Sequence, residues 1–291
     1  MIDLDPRLRA PILVEALPYI QRFAGHTVVI KYGGNVLGDE AGSLASLATD
    51  LVLLAHVGIH PVLVHGGGPQ IDDLARRLKV SSERRGGLRV TDDAMLEVVR
   101  LGLLGAVNPT IVRAVNQVSG APRGVGLSGV DGGLARARVV DPSLGRVGEV
   151  VEVRADLVEA LVAHGMIPIV ASLAADDEGR ELNVNADQFA AALAPALSAT
   201  KLVFLSNVPG LLADPDDPAS VVSELTLGEL EDWLSSGSVR GGMVPKLAAA
   251  RAALEAGVDE VHFVDGRERH ALLVELLSDA GVGTMIRRSA S

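Results

Sequence analysis

Cysteine is absent from the 291 residues, which excludes disulfide bridges, thiolate metal sites and cysteine nucleophiles together. Aromatic residues make up only 2%, so Val, Leu, Ala and Ile must build the core. No apolar run reaches the roughly 20 residues that would span a bilayer. The mean hydropathy of +0.32 therefore reflects Ala and Val richness rather than a membrane segment. Positive charge is short as well. A formal net charge of −11 argues against bulk binding to nucleic acid or to an anionic membrane. A small anionic ligand is still allowed, because a few local cations and backbone amides outweigh distant surface charge. The opening residues Met1-Ile2-Asp3-Leu4-Asp5-Pro6 lack the charged-then-apolar order of a signal peptide, so the expected location is the cytoplasm.

What is present alternates short apolar runs with amphipathic stretches, the pattern of an α/β protein with a largely parallel sheet. Strands are expected at 27–32, 61–65, 124–127, 167–171, 201–205 and 260–264. They are apolar almost throughout, as strands covered on both faces must be. Helices are expected at 44–57, 70–78, 92–104, 109–118, 154–164, 186–197, 227–235, 245–256 and 269–277. Thr226 and Glu229 form a capping box, and Gly58, Gly165 and Gly257 suit the left-handed position after a helix. Residues 134–153 read as a hairpin or flap, and 214–220 as an acidic loop. The first 24 residues read as an extra helix with an apolar stripe through Leu8, Ile12, Leu13, Ala16, Leu17, Ile20 and Phe23. Pro18 predicts a kink or break in it, and the stripe must pack on its own domain or on another subunit.

Two glycine-rich turns follow buried strands: Lys31-Tyr32-Gly33-Gly34-Asn35 and His65-Gly66-Gly67-Gly68-Pro69-Gln70. Glycines at the carboxyl ends of parallel strands let backbone N–H groups approach phosphate, and a following helix N-terminus adds positive potential. Neither turn is a Walker A loop, and neither matches G-x-G-x-x-G. Arg89, in Gly87-Leu88-Arg89-Val90-Thr91-Asp92, has a planar fork suited to a carboxylate. Asn183-Val184-Asn185-Ala186-Asp187 opens a helix, where Asn185 or Asp187 can cap it, Asn183 can meet a substrate and Asp187 can orient lysines. In Gly241-Gly242-Met243-Val244-Pro245-Lys246, the lysine opposes the helix dipole, a conflict that an anionic ligand would resolve.

These five segments occur in the order seen in the N-acetylglutamate kinases of the amino acid kinase family, and the resemblance runs along nearly the whole chain. It implies an α/β/α sandwich around a mainly parallel sheet. It implies an N-terminal oligomerisation helix (1–24), a substrate-binding lobe (25–198) and an ATP-binding lobe (199–291). By resemblance, Lys31 and Lys246 stabilise charge on the transferring phosphoryl group, and Asp187 holds the two lysines. Gly33, Gly34, Gly66 and Gly67 supply backbone donors, and Arg89 and Asn183 bind the α-carboxylate side of the substrate. Ser206, Asn207, Gly210, Leu211, Gly242 and Met243 form the nucleotide edge. The segment Ile12-Leu13-Val14-Glu15-Ala16-Leu17-Pro18-Tyr19-Ile20 resembles the hexameric, arginine-inhibited type, whose arginine-site region is matched by Lys201, His270, Glu275 and Gly283.

The implied reaction is ATP-dependent phosphorylation of the γ-carboxylate of N-acetyl-L-glutamate. That carboxylate is already ionised at neutral pH, so no general base is needed. The difficulty lies in aligning two anions and stabilising equatorial charge. Mg²⁺ is expected to be carried by the ATP phosphates, because the sequence offers no dedicated carboxylate cage and no protein metal site. Expected partners are ATP, acetylglutamate, an L-arginine inhibitor, other copies of the chain as a dimer or hexamer, and a nitrogen-signalling protein. Neither nucleic acid nor membrane is among them. Four positions depart from the common family pattern: Val130 and Ala106 stand where lysine is frequent, Asn207 where aspartate is, and Gln188 where threonine is. A kinase for aminoadipate or glutamate linked to an acidic carrier protein is the nearest alternative, and Ser206-Asn207-Val208 and Asp187-Gln188 lean toward it. The lack of a basic cluster leans against it. A non-catalytic arginine or nucleotide sensor is the alternative from another class, opposed by the retention of both lysines and Asp187.

Overall fold

The computed structural model describes residues 6–34, 41–118, 123–214, 216–217, 220–236, 239, 241–278 and 281–288. Asn35 of the first glycine segment, residues 1–5, and the side chains of Leu8 and Ile12 lie outside what is described. In chain order the elements begin with α1 (Pro6–Phe23), β1 (Thr27–Tyr32), α2 (Ala41–His56), β2 (His60–His65) and α3 (Gly68–Leu78). A short ribbon of β3 (Arg84–Arg85) and β4 (Leu88–Arg89) precedes α4 (Asp93–Arg100), a π-helical turn (Leu101–Val107) and α5 (Asn108–Val118). Next come β5 (Gly124–Ser128), β6 (Ala135–Val139), β7 (Val147–Val153), α6 (Asp156–Ala163), β8 (Ile167–Ala171), β9 (Leu173–Ala175) and β10 (Glu181–Val184). The chain continues through α7 (Ala186–Ala196), β11 (Lys201–Ser206), β12 (Glu224–Thr226), α8 (Leu227–Ser236), α9 (Met243–Glu255), β13 (Glu260–Asp265), α10 (Ala271–Leu277) and β14 (Thr284–Arg287).

Eight strands form one sheet in the order β12-β14-β13-β11-β1-β2-β8-β5, and every neighbouring pair is parallel except β13 with β14. The side-chain period of two sends β1 residues to both faces. Val29 joins a core with Ala190 and Leu193 of α7 and Leu247 and Ala250 of α9. Val28 and Ile30 join a second core with Leu51 of α2, Ile111 of α5 and Leu272 of α10. Helices thus cover both faces in an α/β/α sandwich. The expected hairpin is present as β6 and β7, which pair antiparallel and close a small four-stranded barrel with β9 and β10. The capping box is formed, with Thr226 N donating to Glu229 at 2.7 Å and Glu229 N to Thr226 Oγ at 3.3 Å.

Three expectations change. The two helices expected at 92–104 and 109–118 are one helical run from Asp93 to Val118. Proline lacks the N–H that continues a helix. The run accommodates Pro109 because its π turn, where bonding shifts to i−5, ends just before it. Among the described residues this is the helix long and apolar enough to cross a membrane, but Met95, Val99, Leu103, Val107, Ile111 and Val115 are buried in the protein's own core. Pro18 does not break α1, which runs through both Pro11 and Pro18. Phe23 and Tyr19 of α1 pack on the second core, whereas Leu13 and Val14 stay 73% and 66% exposed, so this chain alone covers only one end of the stripe. Strands β9, β10, β12 and β14 were not expected, being only three or four residues long.

Phe204 of β11 and Phe263 of β13 are register partners, fully buried and stacked at 5.1 Å between ring centroids. With so few aromatics, this pair is the largest volume at the centre of the first core. Phe204→Ala is expected to lower stability by about 3–5 kcal/mol in urea unfolding. A change below about 1 kcal/mol would show that the pair contributes little.

Candidate active site

The register of the parallel strands assembles the site. Tyr32 lies opposite His65 and Leu205, and His65 lies opposite Ala171. The next residues, Gly33, Gly66, Ser172 and Ser206, therefore stand side by side at one carboxyl edge, where ligands bind in open α/β sheets. A cavity of about 440 Å³ opens there. The two glycine turns pack against each other across it. A Cβ on Gly34 would come within 3.0 Å of the Gly68 nitrogen and 3.2 Å of the Gly67 Cα, so a side chain there would push the two turns apart by a few tenths of an ångström.

Two helix N-termini meet on the same cavity. Asn185 caps α7, accepting from Asp187 N at 2.8 Å and Gln188 N at 3.2 Å. This fixes Asp187 in the first turn, where the helix dipole favours a carboxylate. Lys31, next to last in β1, reaches Asp187 Oδ1 at 2.8 Å. Lys246, in the first turn of α9, donates to Asp187 Oδ1 and Oδ2 at 3.2 and 3.0 Å. All three side chains are buried or nearly so. Burial raises the Asp187 pKa, but the charges of Lys31 and then Lys246 override it and leave the carboxyl below its ordinary value. Burial and the neighbouring Lys31 charge lower the pKa of Lys246, against the pull of Asp187. Two ammonium groups share one carboxylate, so the cluster keeps one uncompensated positive charge facing the cavity.

The opposite wall is built by β4 and β10. The Arg89 guanidinium is buried, bonded to Asp72, to Ser82 Oγ and, at 3.2 Å, to the Gly68 carbonyl. Arg84 joins the same Asp72 carboxylate at 2.8 Å. The Asn183 amide donates to Thr91 Oγ at 3.1 Å, which leaves its carbonyl oxygen for another partner. Thr91 Oγ in turn donates to the Arg89 carbonyl at 2.8 Å, linking the two residues.

Of the expected residues, Lys31, Gly33, Gly34, Gly66, Gly67, Arg89, Asn183, Asp187, Ser206, Asn207 and Lys246 all line this cavity. Gly210, Leu211, Gly242 and Met243 do not. Leu211 is buried behind the edge, its N–H bonded to Thr284 Oγ at 2.8 Å, while Gly242 is exposed at the start of α9. Among the four departures from the family pattern, only Asn207 borders the cavity. Sequence reading missed Asp72, Arg84 and Ser172. Ser172 was accessible, since it follows a buried strand at the edge where ligands gather. Asp72 looks like an ordinary helix-surface acid until the ribbon folds over it.

Lys201, Glu275 and Gly283 gather elsewhere. Lys201 begins β11 and Ser206 ends it, so the Lys201 end of this cluster lies at the amino edge of the sheet, about 16 Å along the strand from the cavity, while Gly283 stands level with Phe263 and Val264 nearer the carboxyl edge. Lys201 pairs with Glu260, and its ammonium lies 3.1 Å from His262 Nε2 and 4.8 Å from the Phe23 ring centroid. His262 Nδ1 meets Glu275 at 2.6 Å, and Glu275 accepts from Val282 N at 2.8 Å. Hydrogen bonding to His262 is the main cause that holds the Glu260 pKa at about 2. A cavity of about 180 Å³ opens beside Arg22, Lys201, Asp259 and Glu260. His270 is not in this cluster. Its Nδ1 bonds Asp50 of α2 at 2.5 Å, and its backbone takes the left-handed conformation.

Residues 26–265 match the family described as the amino acid kinase family. The chain is 47% identical over 283 residues to an acetylglutamate kinase of Prochlorococcus marinus (strain MIT 9303), covering 97% of this chain and 91% of that one. It is 48% identical to an acetylglutamate kinase of Synechococcus sp. (strain CC9605), covering 97% and 96%. Among solved structures it superposes, with a TM-score of 0.84 and 29% identity, on N-acetylglutamate synthase from Neisseria gonorrhoeae complexed with coenzyme A and N-acetyl-glutamate. The match covers 97% of this chain but 64% of that longer one. The same synthase complexed with coenzyme A and L-arginine gives a TM-score of 0.82 at 29% identity, covering 97% of this chain and 66% of that one. Carbamate kinase from Giardia lamblia bound to AMP-PNP shares the fold, with a TM-score of 0.67 at 18% identity, covering 91% and 99%.

The Asp187 cluster carries a pH signature. With a folded pKa below the ordinary 3.8, the carboxylate stabilises the fold fully above about pH 4, and this is lost as pH falls through the folded pKa. Asp187→Asn leaves two buried lysines unpaired, at about 3–5 kcal/mol near neutral pH. The stability gap between the two proteins is expected to narrow as the pH is lowered from about 4 toward 2. A gap constant across that range would contradict the ion-pair assignment.

Proposed function

The chain belongs to the amino acid kinase family, among the acetylglutamate kinases, and from that premise we infer that it transfers the γ-phosphoryl group of ATP to the γ-carboxylate of N-acetyl-L-glutamate, a step of arginine biosynthesis. The observation that carries the mechanism is the meeting of Lys31 and Lys246 on Asp187 between two glycine turns. Donor and acceptor are both anions, and the cluster's uncompensated positive charge sits where they must approach. Backbone N–H groups of Gly34 and of the Gly66–Gly67 turn add donors for the equatorial oxygens, whereas the Gly33 N–H, expected to act with them, is taken by the Leu205 carbonyl at 3.1 Å. Charge stabilisation and alignment supply the catalysis, since the carboxylate needs no base.

ATP enters as its Mg²⁺ salt, with the metal held on the phosphates. Asp187, the acid at the centre of the lysine cluster, is already engaged by both lysines. Among the described residues no group of three His, Asp or Glu side chains gathers to hold an ion. The nucleotide lies on the Ser206–Asn207 side, and Arg89 and Asn183 receive the α-carboxylate end of acetylglutamate. In this reading residues 25–198 form the substrate half and 199–291 the nucleotide half. The acyl phosphate product hydrolyses readily, so the site closes around it before release. The enzyme works in the cytoplasm, where ATP is supplied.

The amino-edge cavity is the proposed site for feedback inhibition by L-arginine. Asp259 and Glu260 offer carboxylates to a guanidinium, and Arg22 and Lys201 offer cations to a carboxylate. The exposed Leu13 and Val14 of α1 support assembly of several copies through that helix, as a hexamer built from three dimers joined by their N-terminal helices.

Acyl-phosphate trapping tests the reaction. With Mg-ATP and hydroxylamine, hydroxamate is expected from N-acetyl-L-glutamate and not from L-glutamate, L-aspartate or α-aminoadipate. Lys246→Ala is expected to lower that turnover by at least about tenfold. ATP binding without hydroxamate from any free amino acid would move the assignment to a carrier-linked substrate or to a sensor. Titration with L-arginine tests the second site: activity should fall in the millimolar range or below, and flat activity through that range ends the feedback reading.

A further inference from the structure

His65 is a buried titratable side chain at the phosphate-binding edge to which the reaction assigns no task. It closes β2 immediately before the Gly66–Gly68 turn and has no exposed surface. Its two ring nitrogens have different partners. Nδ1 lies 3.0 Å from the Gly66 carbonyl oxygen, and Nε2 lies 2.9 Å from Asn108 Nδ2. A carbonyl oxygen only accepts, so Nδ1 carries the proton. Nε2 of the neutral ring then accepts from the Asn108 amide, whose other N–H goes to the Ile169 carbonyl at 2.8 Å. Both contacts demand the same tautomer. Burial, the larger cause, lowers the His65 pKa to about 4, so the ring is neutral near pH 7.

Separate features of the fold serve this contact. Asn108 is the first residue after the π turn, the irregularity that sets its direction. Gly126 of β5 faces it, and a Cβ there would lie 2.0 Å from Asn108 Oδ1. Leu103 and Val107 of the same π turn fill the space beside Gly67, at 3.0 and 3.1 Å from where its Cβ would stand. The planar, trans peptide joins these facts to chemistry. When the Gly66 oxygen is turned inward to His65, the Gly67 N–H on the same peptide points the opposite way. That way is outward, on the side where Gly67 lines the cavity.

We propose that His65 and Asn108 are positioning residues for phosphoryl transfer: the His65 Nδ1–H holds the Gly66 carbonyl so that the Gly67 N–H is aimed at the transferring group, and Asn108 holds the proton on Nδ1. The proposal rests on the reading of the Gly66–Gly67 turn as a phosphoryl donor site. Neither residue touches substrate, so the effect falls on the transition state more than on binding.

Two substitutions separate the roles of the ring nitrogens. In His65→Asn the side-chain amide N–H replaces Nδ1–H near Gly66, and in His65→Gln the amide lies near the Nε2 position. Wild-type hydroxamate formation is measured first, and its absence overturns the kinase reading rather than this relay. With an active wild type, His65→Gln is expected to lose at least about tenfold in kcat with KM for both substrates within about threefold, and His65→Asn to recover most of that loss. Equal losses in the two variants, or a loss confined to KM, overturn the proposal. Long-range ¹H–¹⁵N spectra of the imidazoles in the full wild-type chain give a readout independent of activity and of how the variants fold. They are expected to show His65 protonated on Nδ1 near neutral pH, and a proton on Nε2 alone overturns the assignment.

Discussion

Everything at the carboxyl edge depends on one buried carboxylate shared by two lysines. Lys31 and Lys246 come from distant parts of the chain, and their like charges would repel inside the protein without Asp187 between them. The arrangement is poised rather than neutral. One carboxylate cannot cancel two ammonium groups, and the residual charge is held on largely buried side chains at the cavity wall. In the proposed reaction an arriving phosphoryl group would complete the ion cluster, and the repulsion between the lysines would become attraction for the reacting group. This also accounts for a lysine at the N-terminus of α9, an unfavourable place for it in a helix considered alone.

The parallel sheet gives the molecule two chemically different edges. At the carboxyl ends of β1, β2, β8 and β11, consecutive register places backbone and small side chains side by side around the cavity. At the amino end of β11, Lys201 enters a separate chain of ion pairs through Glu260, His262 and Glu275. The same strand therefore carries Ser206 at one end and Lys201 at the other. The Lys201 ammonium also lies over Phe23, so this second cluster touches the base of α1 directly. A ligand in the amino-edge cavity would meet Arg22 and Phe23 at the end of the N-terminal helix, which links the proposed feedback site to the proposed assembly surface.

Periodicity and glycine placement made most of this legible in the sequence. The buried strands β1, β2, β8, β11 and β13 are dense in apolar residues, and the glycine turns after β1 and β2 announced the ligand edge. Eleven of the expected site residues line one cavity for that reason. What was hidden is what depends on long-range docking. Strands of three or four residues carry no usable period, and β9, β10, β12 and β14 exist because partners are already in place. Asp72 becomes part of the site only when the β3–β4 ribbon brings Arg84 and Arg89 to it. His270 is near Glu275 in sequence, yet its ring turns to Asp50 of α2. The stretch Gly124-Val125-Gly126-Leu127-Ser128-Gly129 has the G-x-G-x-x-G spacing but most of it forms strand β5, where Gly126 makes room for Asn108 rather than for a phosphate.

Glycine turns pose a physical contradiction for catalysis. A backbone N–H can approach phosphate only where side chains are absent, and the residue that allows this is the one with the most conformational freedom. Preorganised donors, however, are effective because they do not have to reorient during the reaction. The rigidity must come from the surroundings. Here the two turns brace each other, with Gly34 against Gly67 and Gly68. Gln70 holds the Gly34 carbonyl at 3.2 Å, the π turn presses Leu103 and Val107 against Gly67, and His65 holds the Gly66 carbonyl from inside. The Gln70, His65 and π-turn constraints act on the carbonyl side or on the packed face and not on the Gly67 N–H. A π turn in the middle of an otherwise regular helix, and a neutral histidine buried beneath a glycine turn, are costly features for stability alone. They are intelligible as the framework that lets flexible residues behave as a rigid anion receptor.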